Sequence, residues 1–421
     1  MGAAGGAQTV DRSDEARRAG GIGSGADRPR IAFLKVGSFS HTNRALLEIL
    51  QSAFPDHALD VIDVGRLVRR DPFAFGVGLL AVVRAYGLAV LMRKGARWRA
   101  FFGTPWSFHA IRRKLRRRLA GRRYAFTIQT QSLFDGSQPD TPHFVYTDHT
   151  ARMNRDYGGG GSERGGSIES RISERWIGLE AGIYRHATRV LTQTERAARS
   201  VVEDYGADPE RVACVFAGGH ARPGGGSPAS RYEAKRILYV GTSWERKGGP
   251  DLLRAFERVR ERHPEAELTL VGPAPEIDCP NVRAVGVVPV EALGDYLERA
   301  TVFCVPTRRE PLGFVFLEAA DHRLPIVATR IGSLPELVAD GESGLLVEVG
   351  DVEGLAEALC ALLDDPDLCR AFGERGFERL ADTYTWANVE KHLVGEIRAA
   401  LADRGTEAAP NAEETRFDSM P

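Results

Sequence analysis

The chain has 421 residues, of which 43% are hydrophobic and 27% charged, and its formal net charge is −1. That length suits two domains of ordinary size, the composition excludes a wholly disordered chain, and the balanced charge by itself suggests no partner. Five cysteines, an odd count without any C-x-x-C pair, argue against a disulfide or zinc framework and for a reducing, cytoplasmic compartment.

Residues 1–29 contain no apolar run of the signal-peptide kind and are expected to be disordered, as is the tail over 404–421. The ordered chain is predicted to open with the strand "RIAFLKVG", followed by the helix "NRALLEILQSAF" and the strand "LDVIDVG". Strand, helix and strand at this spacing form a βαβ unit, which implies a parallel sheet. Gly37 closes the first strand and would let a donor phosphate or an acceptor come close to the backbone; His41, in the same loop, is a weaker candidate.

From Pro72 to Phe134 there is no Asp or Glu, while 13 residues are Lys or Arg, concentrated in "FHAIRRKLRRRLAGRRY". Trp98, Phe101, Phe102 and Trp106 stand beside them. Bases next to such a set predict an interfacial helix and peripheral, salt-sensitive binding to an anionic membrane surface. The alternative is ordinary core whose arginines are solvated or hold an anionic acceptor. No recognition motif accompanies the charge, so nucleic acid is not expected. No uncharged apolar run reaches about 18 residues, so no membrane-spanning helix is predicted.

Further strands follow in "YAFTIQTQ", "HFVYTDH", "RVLTQT" and "VACVFAGG". Asp148 and His149 stand just past the second of these, ahead of "YGGGGSERGGS", a segment expected to be mobile. The stretch "GGHARPGGGSPASR" is the best linker in the chain. The βα rhythm then restarts with "RILYVG", "ELTLVG", "VRAVG", "TVFCVP", "LPIVATRIG" and "GLLVEVGD". The expected organisation is an N-terminal Rossmann-like domain over 30–217, a linker over 218–234, a second Rossmann-like domain over 235–382 and a helix over 383–403. Trp386, Val389, Leu393 and Ile397 share one face of that last helix, which can pack on either domain and so cross back to the first. Two α/β domains in series imply a cleft between them, with ligands at the carboxyl ends of the strands.

Two stretches carry the chemistry. In "REPLGFVFLEAADHRLPIVAT", Pro311 suits the first turn of a helix, Gly313 permits close approach, and Glu310 and Glu318 stand eight apart. Such a helix start favours an anion, and eight helical residues rise about 12 Å. The two acids would then hold the ends of a long ligand with a negative middle; two solvated acids on a surface helix are the alternative. In "ILYVGTSWERKGGPDLLRAF", Arg246 and Lys247 precede Gly248-Gly249-Pro250, which opens a helix. Adjacent cations beside a helix start suit a phosphate, or else make a solvated basic loop.

The order V-G-x-x-W-x-R-K-G-G, L-V-G-P, E-P-L-G-F-x-x-L-E-A and P-E-L-V-x-D-G-x-S-G-L-L-V resembles retaining glycosyltransferases of family 4. The resemblance spans roughly Arg30 to Ala402 and is strongest from Arg236 to Leu380. It implies the GT-B architecture, two Rossmann-like domains facing a cleft, and transfer of a hexose from a nucleoside-diphosphate sugar to a saccharide or lipid-linked acceptor with retention. The E-x7-E motif of the family falls on Glu310, which would contact donor-sugar hydroxyls, and Glu318, which would bind the ribose. Backbone N–H groups near Gly313, Phe314 and Val315 would hold the diphosphate, and Lys247 with Arg246 would neutralise it as it leaves. His149 matches a histidine the family often places near the donor sugar. Many members carry Arg where this chain has Thr242, so the role of Arg246 rests on its neighbour's. No D-x-D motif is placed to serve the diphosphate, so no metal or other cofactor is expected. A two-domain sugar phosphorylase, a nucleotide-sugar epimerase and a non-catalytic binding scaffold remain alternatives.

Overall fold

Short apolar runs bounded by glycine or charge, such as Ile31–Leu34 and Val302–Val305, carry no alternation, as strands covered on both faces do not. The computed structural model describes residues 28–37, 39, 42–92, 95–156, 168–219 and 229–407. His41, the glycine-rich 157–167 segment and most of the linker lie outside them. So do the first 27 residues and those from 408 onward.

In the N-terminal half the strands are β1 (Arg30–Lys35), β2 (Ala58–Asp63), β3 (Phe126–Thr130), β4 (His143–Thr147), β5 (Arg189–Thr192) and β6 (Val212–Cys214). The helices between them are α1 (Thr42–Ala53), α2 (Val64–Arg69), α3 (Pro72–Tyr86), α4 (Ala89–Met92), α5 (Ala96–Phe102), α6 (Pro105–Leu119), α7 (Ala151–Asp156), α8 (Glu174–His186) and α9 (Glu195–Glu203). The sheet is parallel throughout, in the order β2-β1-β3-β4-β5-β6. The long connection from β2 to β3 is not one interfacial helix. Asp71 and Thr104 cap the starts of α3 and α6, each with Pro at the first helical position, and break the segment into pieces. Phe101 and Phe102 are buried in the core of these helices, and Trp98 packs against it.

The second half contains β7 (Arg236–Val240), β8 (Glu267–Val271), β9 (Val282–Gly286), β10 (Val302–Val305), β11 (Ile326–Thr329) and β12 (Gly344–Val347). Helices α10 (Gly249–Arg262), α11 (Leu293–Arg299), α12 (Phe314–Asp321), α13 (Leu334–Leu337), α14 (Val352–Asp364), α15 (Pro366–Ala381) and α16 (Trp386–Glu407) complete it. This sheet is also parallel, ordered β12-β11-β10-β7-β8-β9. The chain winds outward from β7 in one direction and from β10 in the other, the doubly wound arrangement.

The ends of the linker are ordered. Arg231 is buried and donates to the carbonyls of His322 and Arg323, and Tyr232 joins the second core, so residues 229–234 pack as part of the C-terminal domain. The chain then crosses back: Val389, Leu393, Val394, Ile397 and Ala400 of α16 share a core with Ile31, Phe33, Leu46 and Phe126 of the first domain. Trp386 marks the crossing, lying where a Cβ on Gly218 would meet its ring at 2.5 Å.

Candidate active site

Topology decides which loops meet. β7 and β10 are neighbours at the centre of the second sheet, but their connections leave in opposite directions. A crevice opens outside their carboxyl ends. One wall is the loop after β7, with Arg246 and Lys247; the other is the loop after β10, with Glu310. Gly248, at φ +73°, caps α10, and a Cβ there would stand 1.9 Å from the Pro306 carbonyl oxygen, so a side chain would drive the loops apart. The Arg246 carbonyl accepts from the Arg308 N–H at 2.8 Å, and its guanidinium donates to the Arg309 carbonyl at 3.0 Å.

Lys247 Nζ donates to the Glu310 carboxylate in this lock. Both residues are buried, at 7% and 6% exposure, so this is not a surface ion pair. Burial lowers the pKa of Lys247, and Glu310 pulls it back. Burial also lowers that of Arg246, again opposed by Glu310. The solvated basic loop is thereby ruled out for Lys247.

The helix beyond Glu310 starts later than its sequence suggests. Pro311 lies in the preceding turn, whose carbonyl accepts from Ser333 Oγ at 2.6 Å, and α12 begins at Phe314 with Gly313 as its cap. Glu310 therefore precedes the helix by a turn, and the two acids are not joined by a straight helical rise. Gly313 adopts φ +103°, and an added Cβ would meet the Phe316 ring at 2.8 Å. No side chain caps this start; the Phe316 N–H already donates to the Gly313 carbonyl at 2.9 Å, and helix geometry leaves that of Val315 without an intrahelical partner. Phe314 and Val315 are half-buried.

Glu318 differs from Glu310. It is buried on the inner side of α12, and burial pushes its pKa up to about 7; the neighbouring charge acting on it is Asp321, not a cation. Asp321 is itself raised to about 6 by burial. A carboxyl held near neutrality can accept hydrogen bonds from hydroxyls once ionised.

The first domain contributes the loop after β4. His149 Nδ1 bonds Asp148 Oδ1 at 2.6 Å. Burial opposes protonation of this imidazole, but Asp148 and Glu180 together outweigh it and the pKa is raised. Arg309 acts electrostatically on His149, and Arg99 on Arg246, so this loop and α5 face the Lys247–Glu310 crevice across the cleft. Gly37, at φ +59°, has open space where a Cβ would stand, and its carbonyl accepts from Asn43 Nδ2 at 2.9 Å. Asn43 Oδ1 in turn accepts from Thr130 Oγ1 at 2.8 Å, which ties the loop after β1 to the end of β3.

Sequence reasoning missed two acids here. Glu180 is buried in α8 and accepts from Ser132 Oγ at 2.5 Å, Tyr184 OH at 3.0 Å, Tyr205 OH and the Ala151 N–H at 3.0 Å, which anchors α7 just after His149. Burial raises its pKa despite these donors. Its signal was a lone acid on the helix face of Trp176, Ile177 and Ile183. Glu336 of α13 reaches across the cleft and accepts from the N–H groups of Glu195 and Arg196, at 3.1 and 2.6 Å, at the start of α9. That contact has no local sequence signal. A cavity of about 690 Å³ between α1, the Val290–Glu291 turn and the start of α16 is lined by Trp386 but by none of the predicted site residues.

Residues 234–365 match the family described as "Glycosyl transferases group 1". The chain is 30% identical over 279 residues to a D-inositol 3-phosphate glycosyltransferase of Corynebacterium kroppenstedtii, covering 59% of this chain and 60% of that protein. It thus spans about 60% of the length of the curated relatives it matches. Sucrose-phosphate synthase from Thermosynechococcus elongatus superposes with a TM-score of 0.67 at 18% identity, over 89% of this chain and all of that one. Anabaena HepE in complex with UDP-glucose superposes at 0.57 and 13% identity, over 88% and 99%. At these identities the likeness is one of fold: two parallel α/β domains in the GT-B arrangement.

Proposed function

From the match of residues 234–365 to the group 1 glycosyl transferases, we propose that the whole chain transfers a hexose from a nucleoside-diphosphate sugar to a saccharide or lipid-linked acceptor, with retention of anomeric configuration. The observation that carries this reading is the buried Lys247–Glu310 pair at the crevice between β7 and β10, beside the uncapped start of α12. Such a site suits a diphosphate: a fixed cation and first-turn N–H groups lie together where water is scarce.

The roles are those the family resemblance implies, carried onto these positions. The donor diphosphate lies at the α12 start, against Gly313, Phe314 and Val315. Lys247, steadied by Arg246, offsets the charge that grows on the β-phosphate as the C1–O bond breaks. Glu310, freed from part of its pairing by the incoming phosphate, accepts from donor-sugar hydroxyls. Glu318 accepts from the ribose. Gly37 leaves room for the sugar phosphate from the other side. His149 sits opposite and hydrogen-bonds the donor sugar, and the Asp148 carboxylate paired with it offsets the positive charge that develops at the anomeric carbon. The acceptor oxygen bonds C1 on the face the diphosphate leaves, and its proton passes to the departing phosphate oxygen. Fixed charge and helix N–H groups do the work a metal does elsewhere, so the reaction needs none. A role in cell-surface polysaccharide or glycolipid synthesis at the cytoplasmic face fits a lipid-linked acceptor.

The test is a thermal-shift screen of UDP, GDP and ADP sugars, since a ligand that binds only the folded state raises its melting temperature by mass action. It is followed by nucleotide release with and without added acceptor. One nucleotide class should stabilise wild type and fail to stabilise Lys247→Ala. Stabilisation by none of them, or by all equally in the variant, overturns the reading.

A further inference from the structure

The outer face of α3 and α4 is apolar where a helix facing water is ordinarily polar. Among the described residues seven large hydrophobic side chains are strongly exposed, and four stand in this one segment: Phe73 at 82%, Leu80 at 69%, Leu88 at 68% and Met92 at 87%. Phe73, Leu80 and Arg84 recur at helical spacing and share one side of α3. The opposite side is already satisfied. Val82 and Tyr86 are buried there, and Gly78 lies so close to Phe101 that a Cβ would meet the ring at 2.2 Å. Helix α3 therefore has one apolar face in the core and a second that is exposed among the described residues.

Charge surrounds that second face. Between Val64 and Arg99 the sequence has eight Lys or Arg and a single acid, Asp71. Asp71 caps α3 and is paired with Lys114. Arg66, Arg69, Arg70, Arg84 and Arg97 are exposed, and Arg69 lies over the Trp98 ring at 5.1 Å.

We propose that this ridge lies on an anionic membrane surface, with Phe73, Leu80, Leu88 and Met92 in the headgroup layer and the arginines at the level of the lipid phosphates. The charge selects the occupant. A second copy seated face to face would set the exposed Arg66, Arg69, Arg70, Arg84 and Arg97 of each against their like, and a neutral apolar partner would strip them of water without compensation. An anionic bilayer satisfies both the apolar groups and the bases. The segment lies on the surface and does not cross it: α3 has 15 residues, and no described helix is long and apolar enough to span.

The more basic α6 is the poorer contact. Its Ile111, Leu115 and Leu119 face the core, Arg112 pairs with Asp135, and its exposed positions carry no large apolar group. The proposal therefore moves the contact from the basic run of α6, which the sequence singles out, to α3 and α4. Docking is read from the surface alone; only its purpose, presenting a lipid-linked acceptor to the cleft, rests on the transferase reading.

The test is flotation of the full chain with vesicles of phosphatidylcholine, with and without phosphatidylglycerol. Wild type should partition at least about tenfold better into the anionic vesicles and be released by high salt. Phe73→Ser/Leu80→Ser/Met92→Ser should lose about tenfold of that binding at an unchanged melting temperature, because the three side chains are exposed. Val287→Ser, exposed on the other domain, should bind as wild type does. Arg113→Ser/Arg116→Ser/Arg117→Ser should lose less than the apolar triple. Equal partition into both vesicle types overturns the proposal, as does a triple variant that floats like wild type. A dimer in sedimentation that the triple converts to monomer assigns the ridge to a second copy and also overturns it. Nucleotide binding measured without vesicles separates the two readings: the triple should retain it, and a wild type that floats but binds no nucleotide discredits the transferase and leaves docking standing.

Discussion

The two sheets turn their strand ends toward each other with opposite chemistry. At the centre of the C-terminal sheet two tight, glycine-dependent loops bury a cation against an acid, with a second cation fastened alongside. At the corresponding place in the N-terminal sheet, between β1 and β3, the loops are tied by Asn43 and Thr130, both neutral, and the titratable group, His149, comes from the next strand along. A buried charge pair is costly to assemble and holds its geometry before any ligand arrives. The cation on the N-terminal side, Lys35, donates to the Gly37 carbonyl at 3.0 Å and stands 3.8 Å from Asp63, a longer and more exposed pairing than that of Lys247 and Glu310. Under the proposed function, the difference would suit the C-terminal half to the diphosphate and the N-terminal half to the sugar or acceptor.

Four experiments bear on that contrast. The largest effect is expected at the pair. Lys247→Ala and Glu310→Ala should each cut turnover by at least about 10²-fold with donor saturating. Each should also lower stability by about 3–5 kcal/mol, because the surviving partner is left as an unpaired buried charge. The double variant Lys247→Met/Glu310→Leu separates the two effects: denaturant unfolding should show stability largely regained, while transfer stays lost. Activity returning together with stability would reduce the pair to a structural brace.

On the other side of the cleft the effect should be smaller and confined to chemistry. His149→Ala should reduce kcat by about 10- to 10²-fold with little change in donor KM. Its raised pKa also has a stability consequence of definite sign. The Asp148 contact contributes fully below the ordinary histidine value of 6.5 and is lost as the pH rises through the raised folded value. Asp148→Asn should therefore lose stability at pH below 6.5 relative to wild type and match it at alkaline pH. A pH-independent difference would break the assignment of the charge to His149.

Glu318 should show itself in binding. Its folded pKa of about 7 lies above the ordinary 4.5, so ionising it costs stability in the unliganded protein as the pH rises from about 4.5 to 7. Ribose hydroxyls that donate to the carboxylate favour the ionised form. Donor affinity should then improve by up to about tenfold between pH 6 and 8, with proton release on binding near pH 7. Glu318→Gln should raise KM more than it lowers kcat and should flatten that pH dependence. Calorimetry in buffers of different ionisation enthalpy reads the protons directly, and the same release from the Gln variant would place them elsewhere.

The smallest effect expected is none. Activity should survive excess EDTA, because the proposed charge stabilisation comes from Lys247 and the α12 start. A loss restored by magnesium or manganese would make the buried pair insufficient and erase the contrast between the domains.

Much of this was legible before any fold was known. Uninterrupted apolar runs marked the parallel strands, glycines marked the turns after β1, β7 and β10, and the spacing of Glu310 and Glu318 singled out both acids. These signals are local, set by side-chain burial and backbone conformation within a few residues. What only the tertiary structure decided is non-local. Lys247 and Glu310 meet because the strand order puts β7 beside β10, a choice no single segment encodes. The two acids of one motif part in character because one gains a cation and the other only burial and Asp321. Glu180 and Glu336 acquire roles from partners far away in the chain. Phe101 and Phe73 read alike in the sequence, yet packing hides the first and leaves the second in solvent, because which face of α3 meets α5 depends on how the helices dock.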